Sequence, residues 1–235
     1  MPIDTTHRSA EIEIMDDLEM SGELLISSLD QLARINKWLG GNKITIQGLK
    51  SILQNHPKNK TISIVDLGCG NGDMLRRVAT FGKKNGYKFQ LLGIDANQAT
   101  IDYAIQLSAG FPEISYKKED VLSKEFERHT YDIAMCTLFL HHFEDPVALD
   151  LIQTLLDNSK MGVVVNDLHR HKLAYYLFNM LTSVISNHMT REDGLTSILK
   201  AFKRKDLERF SETLNVDSTI AWRWAFRYLW IIKKT

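Results

Sequence analysis

The segment from Ile62 to Met74, ISIVDLGCGNGDM, constrains the fold of this chain more than any other stretch. Its first half is an apolar run that ends at Asp66, a pattern that predicts a buried parallel strand. Three glycines follow at alternate positions: Gly68, Gly70 and Gly72. Asp73 then begins a helical pattern of apolar residues. The sequence therefore predicts a strand, a glycine turn and a helix whose N-terminal N–H groups face a ligand in the turn.

Two classes of ligand use such a turn. Dinucleotides require the pattern G-x-G-x-x-G, whose third small residue lets the helix pack on the strand. Here the pattern is G-x-G-x-G, and Asp73 occupies the place of that third glycine. The carboxylate of Asp66 suits a pyrophosphate poorly and suits a cationic ligand with an ammonium group well. The alternative is an ordinary strand–turn–helix in which the glycines only make the turn.

After this segment the chain alternates strands and helices. Further strands are predicted at 89–94, 114–118, 131–136, 162–167, 217–224 and 228–233. Asp95 ends the second strand, where a carboxylate can accept hydrogen bonds from the hydroxyls of a ribose. Asp120 follows the third strand and could accept one from an adenine amino group, although capping or turn formation is a common role for Asp.

Three ordered segments carry a resemblance to a known family: DLGCGNG at 66–72, GID at 93–95 and DIAMCTLFLHHFEDP at 132–146. They resemble the class I S-adenosylmethionine-dependent methyltransferases, small-molecule type, similar to those of ubiquinone and menaquinone biosynthesis. The resemblance implies S-adenosylmethionine as cofactor and S-adenosylhomocysteine as product. It also implies the positions that contact the cofactor, namely Asp66, Gly68, Cys69, Gly70, Gly72, Asp95, Ala96, Asp120, Val121, Thr137 and Leu138.

The predicted fold is α/β, with three layers and a Rossmann-like, seven-stranded, mostly parallel sheet that ends in an antiparallel C-terminal hairpin. Helical patterns at 12–39 and 45–54 come before the first strand. Residues 1–57 are therefore expected to form a helical cap and 58–235 the methyltransferase domain. The cap either covers a sheet edge or closes the substrate cleft with Met15, Asp16, Asp17 and Trp38.

An insertion at 168–204 follows the fifth strand and is expected to form a helical lid. Its sequence predicts an apolar helix over 173–185, a loop over 188–194 and a short helix over 197–202. Aromatic and Met side chains at helical spacing in this insertion are alternatively part of the core. A lid lined by such side chains would suit a flat, apolar substrate.

Histidines at the ends of the fourth and fifth strands are the candidates for catalysis. An oxygen nucleophile benefits from a general base, and imidazole titrates in the right range. His142 and His169 are preferred, with His141 a third candidate, and the choice between the tandem histidines depends on the resemblance alone. Their alternative role is to pack or to cap the next helix. No Cys, His or Asp spacing completes a metal site, so no metal is predicted.

Composition excludes several classes of protein. The 29 Lys and Arg residues equal the 29 Asp and Glu residues, so no global basic field attracts nucleic acid. No apolar run reaches the roughly 18 residues of a membrane span. The two cysteines, Cys69 and Cys136, fit a reducing cytoplasm. We therefore expect a cytoplasmic enzyme with a small-molecule acceptor, no nucleic-acid partner and no stable membrane insertion.

The expected reaction is methylation of a small aromatic or lipid-like acceptor. O-methylation is preferred over C-methylation because the residues before strand five, 158–161, lack the Pro-Gly-Gly turn that is common in the quinone enzymes. Two alternatives stay open. One is an NAD(P)-binding Rossmann oxidoreductase, which Asp66 and Asp73 disfavour. The other is a module that binds S-adenosylmethionine without catalysis.

Overall fold

The computed structural model describes residues 3–185 and 187–234, and this part of the chain holds one seven-stranded sheet. The strands are β1 (Thr61–Leu67), β2 (Lys88–Asp95), β3 (Ile114–Lys118), β4 (Tyr131–Thr137), β5 (Ser159–Leu168), β6 (Ser218–Arg223) and β7 (Arg227–Lys233). Their order is β3-β2-β1-β4-β5-β7-β6, and only β7 runs antiparallel to its neighbours. The predicted α/β class, with its antiparallel C-terminal hairpin, is confirmed.

Eight helices surround this sheet in the described ranges. They are α1 (Glu23–Trp38), α2 (Gly41–Leu53), α3 (Asp73–Asn85), α4 (Gln98–Leu107), α5 (Asp145–Asn158), α6 (Lys172–Ile185), α7 (His188–Lys200) and α8 (Arg204–Thr213). None is long and apolar enough to cross a membrane.

Each face of the sheet has its own hydrophobic core, because both faces of the parallel strands are buried. On one face, Val65 and Leu67 of β1 join a core that includes Phe126, Phe210 and Trp230. On the other face, Ile62 and Ile64 of β1 pack with apolar residues of α2, α3 and α4, including Leu49, Leu75 and Ile101. The two cores fix the strands, so the loops at their carboxyl ends meet at one edge of the sheet.

The structure corrects the predicted start of the first helix. The helical pattern was expected from residue 12, but α1 begins at Glu23, after Gly22 with φ of +88°. Residues 14–16 form a separate 3-10 turn. The Asp193 carboxylate accepts the backbone N–H groups of Ile14 (2.7 Å) and Met15 (2.9 Å) and so holds this turn. The acidic opening of the chain therefore belongs to a segment bound to α7, not to a continuous helix.

The predicted loop over 188–194 is also wrong, since these residues are the first half of α7. The Asn187 side chain caps this helix by accepting the N–H of Thr190 (2.8 Å). Asp193 is buried and directs its carboxylate at residues 14 and 15 instead of at solvent. A polar sequence that is typical of a loop is helical here because tertiary partners bind its polar groups.

The two helices that precede β1 have different positions. α2 begins at Gly41, four residues before its predicted start. It packs on the face of β5 and β7 and not on an edge of the sheet, since a Cβ at Gly48 would lie 2.4 Å from Val164 Cγ1. Trp38 is 72% exposed, and neither it nor the exposed Asp17 lines the cavity described below, so their predicted part in a cap is wrong. The boundary between cap and main domain stays a prediction.

Candidate active site

A cavity of about 590 Å³ lies at the carboxyl ends of the parallel strands. The structure brings to its wall every predicted cofactor-contacting residue except Gly72, together with both preferred histidines. Gly72 is buried, has φ of +75° and lies against Tyr116, whose hydroxyl would be 2.0 Å from a Cβ. Gly72 therefore serves packing of the turn. The cofactor contacts of the other residues stay predictions.

The glycine turn is held open toward the cavity by backbone hydrogen bonds to the end of β2. Cys69 N–H donates to Ile94 O (3.0 Å), and Gly70 N–H donates to Asp95 Oδ2 (3.2 Å). Gly70 has φ of +51°, and a Cβ there would meet only Leu29 Cδ2, at 3.7 Å. The chain therefore leaves space in front of Gly70 that a ligand can fill.

Buried carboxylates at this end of the cavity favour a positively charged ligand. Asp66 is 2% exposed, and its Oδ1 has no hydrogen-bond partner among the described residues. Burial, and then the charges of Asp73 and Asp95, raise the pKa of Asp66 well above its usual value. Burial also raises the pKa of Asp95. A ligand with ammonium and sulfonium groups would compensate these acids, whereas a pyrophosphate would add to their repulsion.

The next part of the cavity wall lies after β3. Asp120 is exposed, and its Oδ1 accepts the N–H of Leu122 (2.9 Å), which is the turn role considered as an alternative. Val121 is buried and supplies an apolar surface. Glu119 is also buried and pairs with Lys117 at 2.7 Å. One acid and one apolar side chain therefore remain available to an adenine ring on this side.

The tandem histidines after β4 each pair with a carboxylate. His141 is buried, and its Nδ1 lies 2.6 Å from Asp167 Oδ1. His142 is half-buried, and its Nδ1 lies 2.7 Å from Asp16 Oδ1. Burial disfavours the charged form of His142, but the hydrogen bond with Asp16 and the charges of Glu13 and Asp16 together outweigh burial and raise the pKa of the imidazole. When the Nδ1–H group of His142 donates a hydrogen bond to Asp16, Nε2 is the basic nitrogen of the ring.

Glu13 and the two histidines form a cluster that could supply three metal ligands. Glu13 Oε1 lies 3.8 Å from His141 Nε2 and 3.7 Å from His142 Nδ1. However, the ammonium of Lys200 lies 3.4 Å from both Glu13 Oε1 and Asp16 Oδ2. This cation already compensates the carboxylates that a metal would use. We therefore assign no metal to this cluster.

His169 occupies a different environment at the end of β5. Burial, followed by the charges of His171 and Lys203, lowers the pKa of His169 to about 4. The indole Nε1–H of Trp222 donates to His169 Nδ1 (3.3 Å). Because an indole can only donate, Nδ1 is the accepting nitrogen and the proton lies on Nε2. His169 is thus a neutral hydrogen-bond donor toward the cavity and a weaker base than His142.

Apolar side chains close the remaining walls. They come from α1, from the segment after β4, from α6 and from the turn between β6 and β7, and include Leu25, Leu29, Leu32, Phe139, Phe143, Leu177, Phe178, Leu181, Trp224 and Phe226. The 3-10 turn at 14–16 contributes Met15 and Asp16 to the same cavity. These elements form an apolar wall over a site whose floor is polar.

Sequence reasoning missed two groups of cavity residues. Glu13 falls in the helical pattern predicted over 12–39, and nothing in its spacing places it next to histidines more than 120 positions away. Arg227, the first residue of β7, is 3% exposed and lines the cavity. An Arg directly before an apolar run gives no signal of burial.

Comparison with known proteins gives one family match and two curated relatives. Residues 64–162 match the family model described as Methyltransferase domain. A ubiquinone biosynthesis O-methyltransferase of Nitrosospira multiformis is 24% identical over 169 residues, which cover 70% of this chain and 66% of that protein. The ribosomal RNA large subunit methyltransferase G of Shewanella putrefaciens is 27% identical over 188 residues, or 74% of this chain and 46% of that protein. The chain thus spans just under two thirds of one relative and about half of the other.

Solved structures agree with this match at the level of the fold. The plantazolicin methyltransferase BpumL, in complex with S-adenosylhomocysteine, has a TM-score of 0.66 and 16% sequence identity. The match covers 88% of this chain and 89% of that protein.

Proposed function

Because this chain carries a class I S-adenosylmethionine-dependent methyltransferase domain, we propose that it transfers a methyl group to an oxygen of a small aromatic or lipid-like acceptor. The observation that carries the proposal is the division of one cavity into two chemically different ends. Buried carboxylates lie at the ends of β1 and β2. Histidines under an apolar roof lie at the ends of β4 and β5. The first end suits a cationic cofactor, and the second suits an apolar acceptor with an ionisable oxygen.

The residues of the first end would hold S-adenosylmethionine, which supplies a methyl group on a positively charged sulfur. Asp66 has a buried oxygen without a partner among the described residues and would accept a hydrogen bond from the ammonium group. Asp95 would accept hydrogen bonds from the ribose hydroxyls, and Gly70 would allow close approach of the backbone. The chain's main contribution is then proximity and alignment of the two reactants.

His142 is the better candidate for the general base at the second end. Asp16 orients its ring and raises the pKa of the imidazole, so the Nε2 atom can accept a proton from an acceptor hydroxyl. His169 donates from Nε2 and would instead bind the acceptor oxygen. This arrangement favours a phenol-like or lipid-like hydroxyl over a carbon nucleophile. We therefore propose a small-molecule acceptor and not a nucleic acid.

The test is transfer of a labelled methyl group from S-adenosylmethionine to a panel of phenols, hydroxylated fatty acids and related apolar alcohols. Ribosomal RNA serves as a further arm, because one relative bears that name. We expect a labelled ether product from an apolar hydroxyl compound and release of S-adenosylhomocysteine. Label in RNA, or label attached to a carbon of the acceptor, would contradict the proposal. Binding of S-adenosylhomocysteine with no transfer to any arm would favour the non-catalytic module.

Variants of the two histidines distinguish their roles. His142→Ala should lower turnover about 10²–10⁴-fold, the usual contribution of a positioned base. His169→Ala should mainly raise the KM for the acceptor. In both variants the affinity for S-adenosylhomocysteine, measured by calorimetry, should match the wild type. Turnover that survives within a few-fold in the double variant would exclude both His142 and His169 as the base.

A further inference from the structure

An unpaired guanidinium lies in the wall of the cavity. Arg227 is 3% exposed, and its Nε and Nη1 atoms are buried without a hydrogen-bond partner among the described residues. A charged group that is buried in this way is costly unless an opposite charge lies next to it. The buried guanidinium nevertheless belongs to a residue that lines the cavity.

The nearby carboxylate of Asp167, whose charge raises the pKa of Arg227, already has other hydrogen-bond partners. Asp167 accepts the N–H groups of His141 (3.1 Å) and Leu168 (2.7 Å), and it also pairs with the His141 imidazole. No ion pair within 4.0 Å joins Arg227 to a described acid. Burial accordingly lowers the pKa of Arg227 to about 10, against the opposing charge of Asp167. Within the described ranges, the guanidinium thus lacks a counterion of its own.

A second positive feature lies beside this guanidinium. Its Cζ would be 3.1 Å from a Cβ at Gly41, the first residue of α2, so Arg227 packs on the N-terminus of that helix. The N-cap residue Gly40 offers no side chain to the N–H groups of the first turn. A helix N-terminus carries about half a positive charge and favours anions. Two sources of positive potential therefore lie side by side, and Arg227 is the one that lines the cavity.

The position of this point in the sheet indicates which ligand would use it. The glycine turn and Asp95 place the cofactor over β1 and β2, with Thr137 and Leu138 at the end of β4. β7 lies two strands beyond β4, which is roughly 10 Å along the sheet. The apolar walls from α6 and from the turn before β7 lie on the same side. An anion at Arg227 would thus be joined to the acceptor end of the cavity.

We propose that Arg227 binds a carboxylate of the methyl acceptor, so that the substrate is an apolar hydroxy acid, and that the N-terminus of α2 behind Arg227 adds to the positive potential. The planar fork of a guanidinium matches the two oxygens of a carboxylate. This inference rests on the proposed function, because it assigns the acceptor side of the same cavity. It adds that the acceptor is anionic and that its charged group lies away from the reacting hydroxyl.

Binding measurements can test the site without knowledge of the true acceptor. The full-length protein is first saturated with S-adenosylhomocysteine, and calorimetry then measures binding of cinnamate, 4-hydroxycinnamate and decanoate and of their uncharged amides. We expect at least one acid to bind about tenfold or more tightly than its amide, since a hydrogen bond to a charged group has about this effect. If no acid is preferred over its amide, the proposal is wrong. Failure of S-adenosylhomocysteine itself to bind would instead overturn the proposed function.

Variants assign the preference to Arg227. Arg227→Met should remove the difference between acid and amide, and Arg227→Lys should retain part of it, because the charge remains but the fork is lost. Arg223→Met is the matched control, since Arg223 lies on the same hairpin and donates to Gln47 and to the backbone of Trp222. The control should bind acids as the wild type does. Circular dichroism checks folding, and if the Met variant unfolds, Arg227→Lys and the wild-type comparison still decide.

A further binding measurement tests whether Arg227 instead binds the carboxylate of the cofactor. S-adenosylhomocysteine carries one in its amino-acid part, whereas methylthioadenosine does not. Arg227→Met should bind both compounds as the wild type does. A tenfold or larger loss for S-adenosylhomocysteine alone would mean that Arg227 holds the cofactor, and the inference about the acceptor would be refuted.

Discussion

A methyl group added at Gly70 should strongly weaken binding of the cofactor product while the protein stays folded. In Gly70→Ala the new Cβ would meet only Leu29 Cδ2, at 3.7 Å, which is ordinary van der Waals contact. Steric conflict within the described part of the chain is therefore absent. The φ of +51° nevertheless disfavours an L residue, at a cost of about 1–2 kcal/mol. For a chain of this size, that cost lowers the melting temperature by roughly 2–8 °C.

The effect on the ligand should be much larger than the effect on folding. Non-bonded atoms pack at about 3.5–4.0 Å, so a ligand that touches the backbone of Gly70 leaves no space for a methyl group between them. We expect the affinity for S-adenosylhomocysteine to fall about a hundredfold or more, roughly 2.8 kcal/mol. Isothermal titration calorimetry measures this loss at a temperature where both proteins are folded.

Gly86→Ala is the matched control for the backbone cost. Gly86 ends α3 with φ of +76°, is exposed, and would place a Cβ no closer than 4.0 Å to Lys58 Cδ. Its loss of stability should equal that of Gly70→Ala, with unchanged affinity for the ligand. Gly68 would be a poor control, because its Cβ would lie 2.1 Å from the Phe139 ring. If Gly70→Ala binds within threefold of Gly86→Ala, the turn has no close contact with the ligand.

Three further predictions follow from named contacts. Asp95→Ala should weaken S-adenosylhomocysteine binding by at least tenfold, because each hydrogen bond to a charged acceptor contributes about 1.5–3 kcal/mol; calorimetry that finds equal affinity in a folded variant would refute the ribose assignment. Turnover should rise with pH through the raised pKa of His142, since the neutral imidazole is the base. Asp16→Asn removes a hydrogen bond that raises this pKa, so the variant should show the rise at lower pH. An unchanged pH–rate profile would mean that Asp16 takes no part in catalysis. Gly48→Ala should lower the free energy of unfolding by about 1–3 kcal/mol, because its Cβ would lie 2.4 Å from Val164 Cγ1 in a packed core, and an unchanged urea midpoint would show that α2 is not packed on the sheet in this way.

Local patterns were sufficient for the sheet and for the cofactor end of the cavity. Strands β1, β4 and β5 are mainly buried apolar runs that end in polar residues, and parallel strands place those ends at one edge. Asp66, Gly70 and Asp95 could therefore be assigned to one site from the amino-acid sequence alone. Their roles depend on backbone position and on strand order, and both are encoded locally.

The acceptor end was decided by contacts between distant parts of the chain. Asp16 pairs with His142 across 126 positions, and Asp193 fixes the turn at residues 14–16 from a helix that the sequence presented as a loop. Arg227 is buried where α2 packs over the start of β7. Such pairings are set by how the preceding helices and the insertion pack on the finished sheet. A side chain's charge environment is a property of that packing, so the pattern of a single segment cannot contain it.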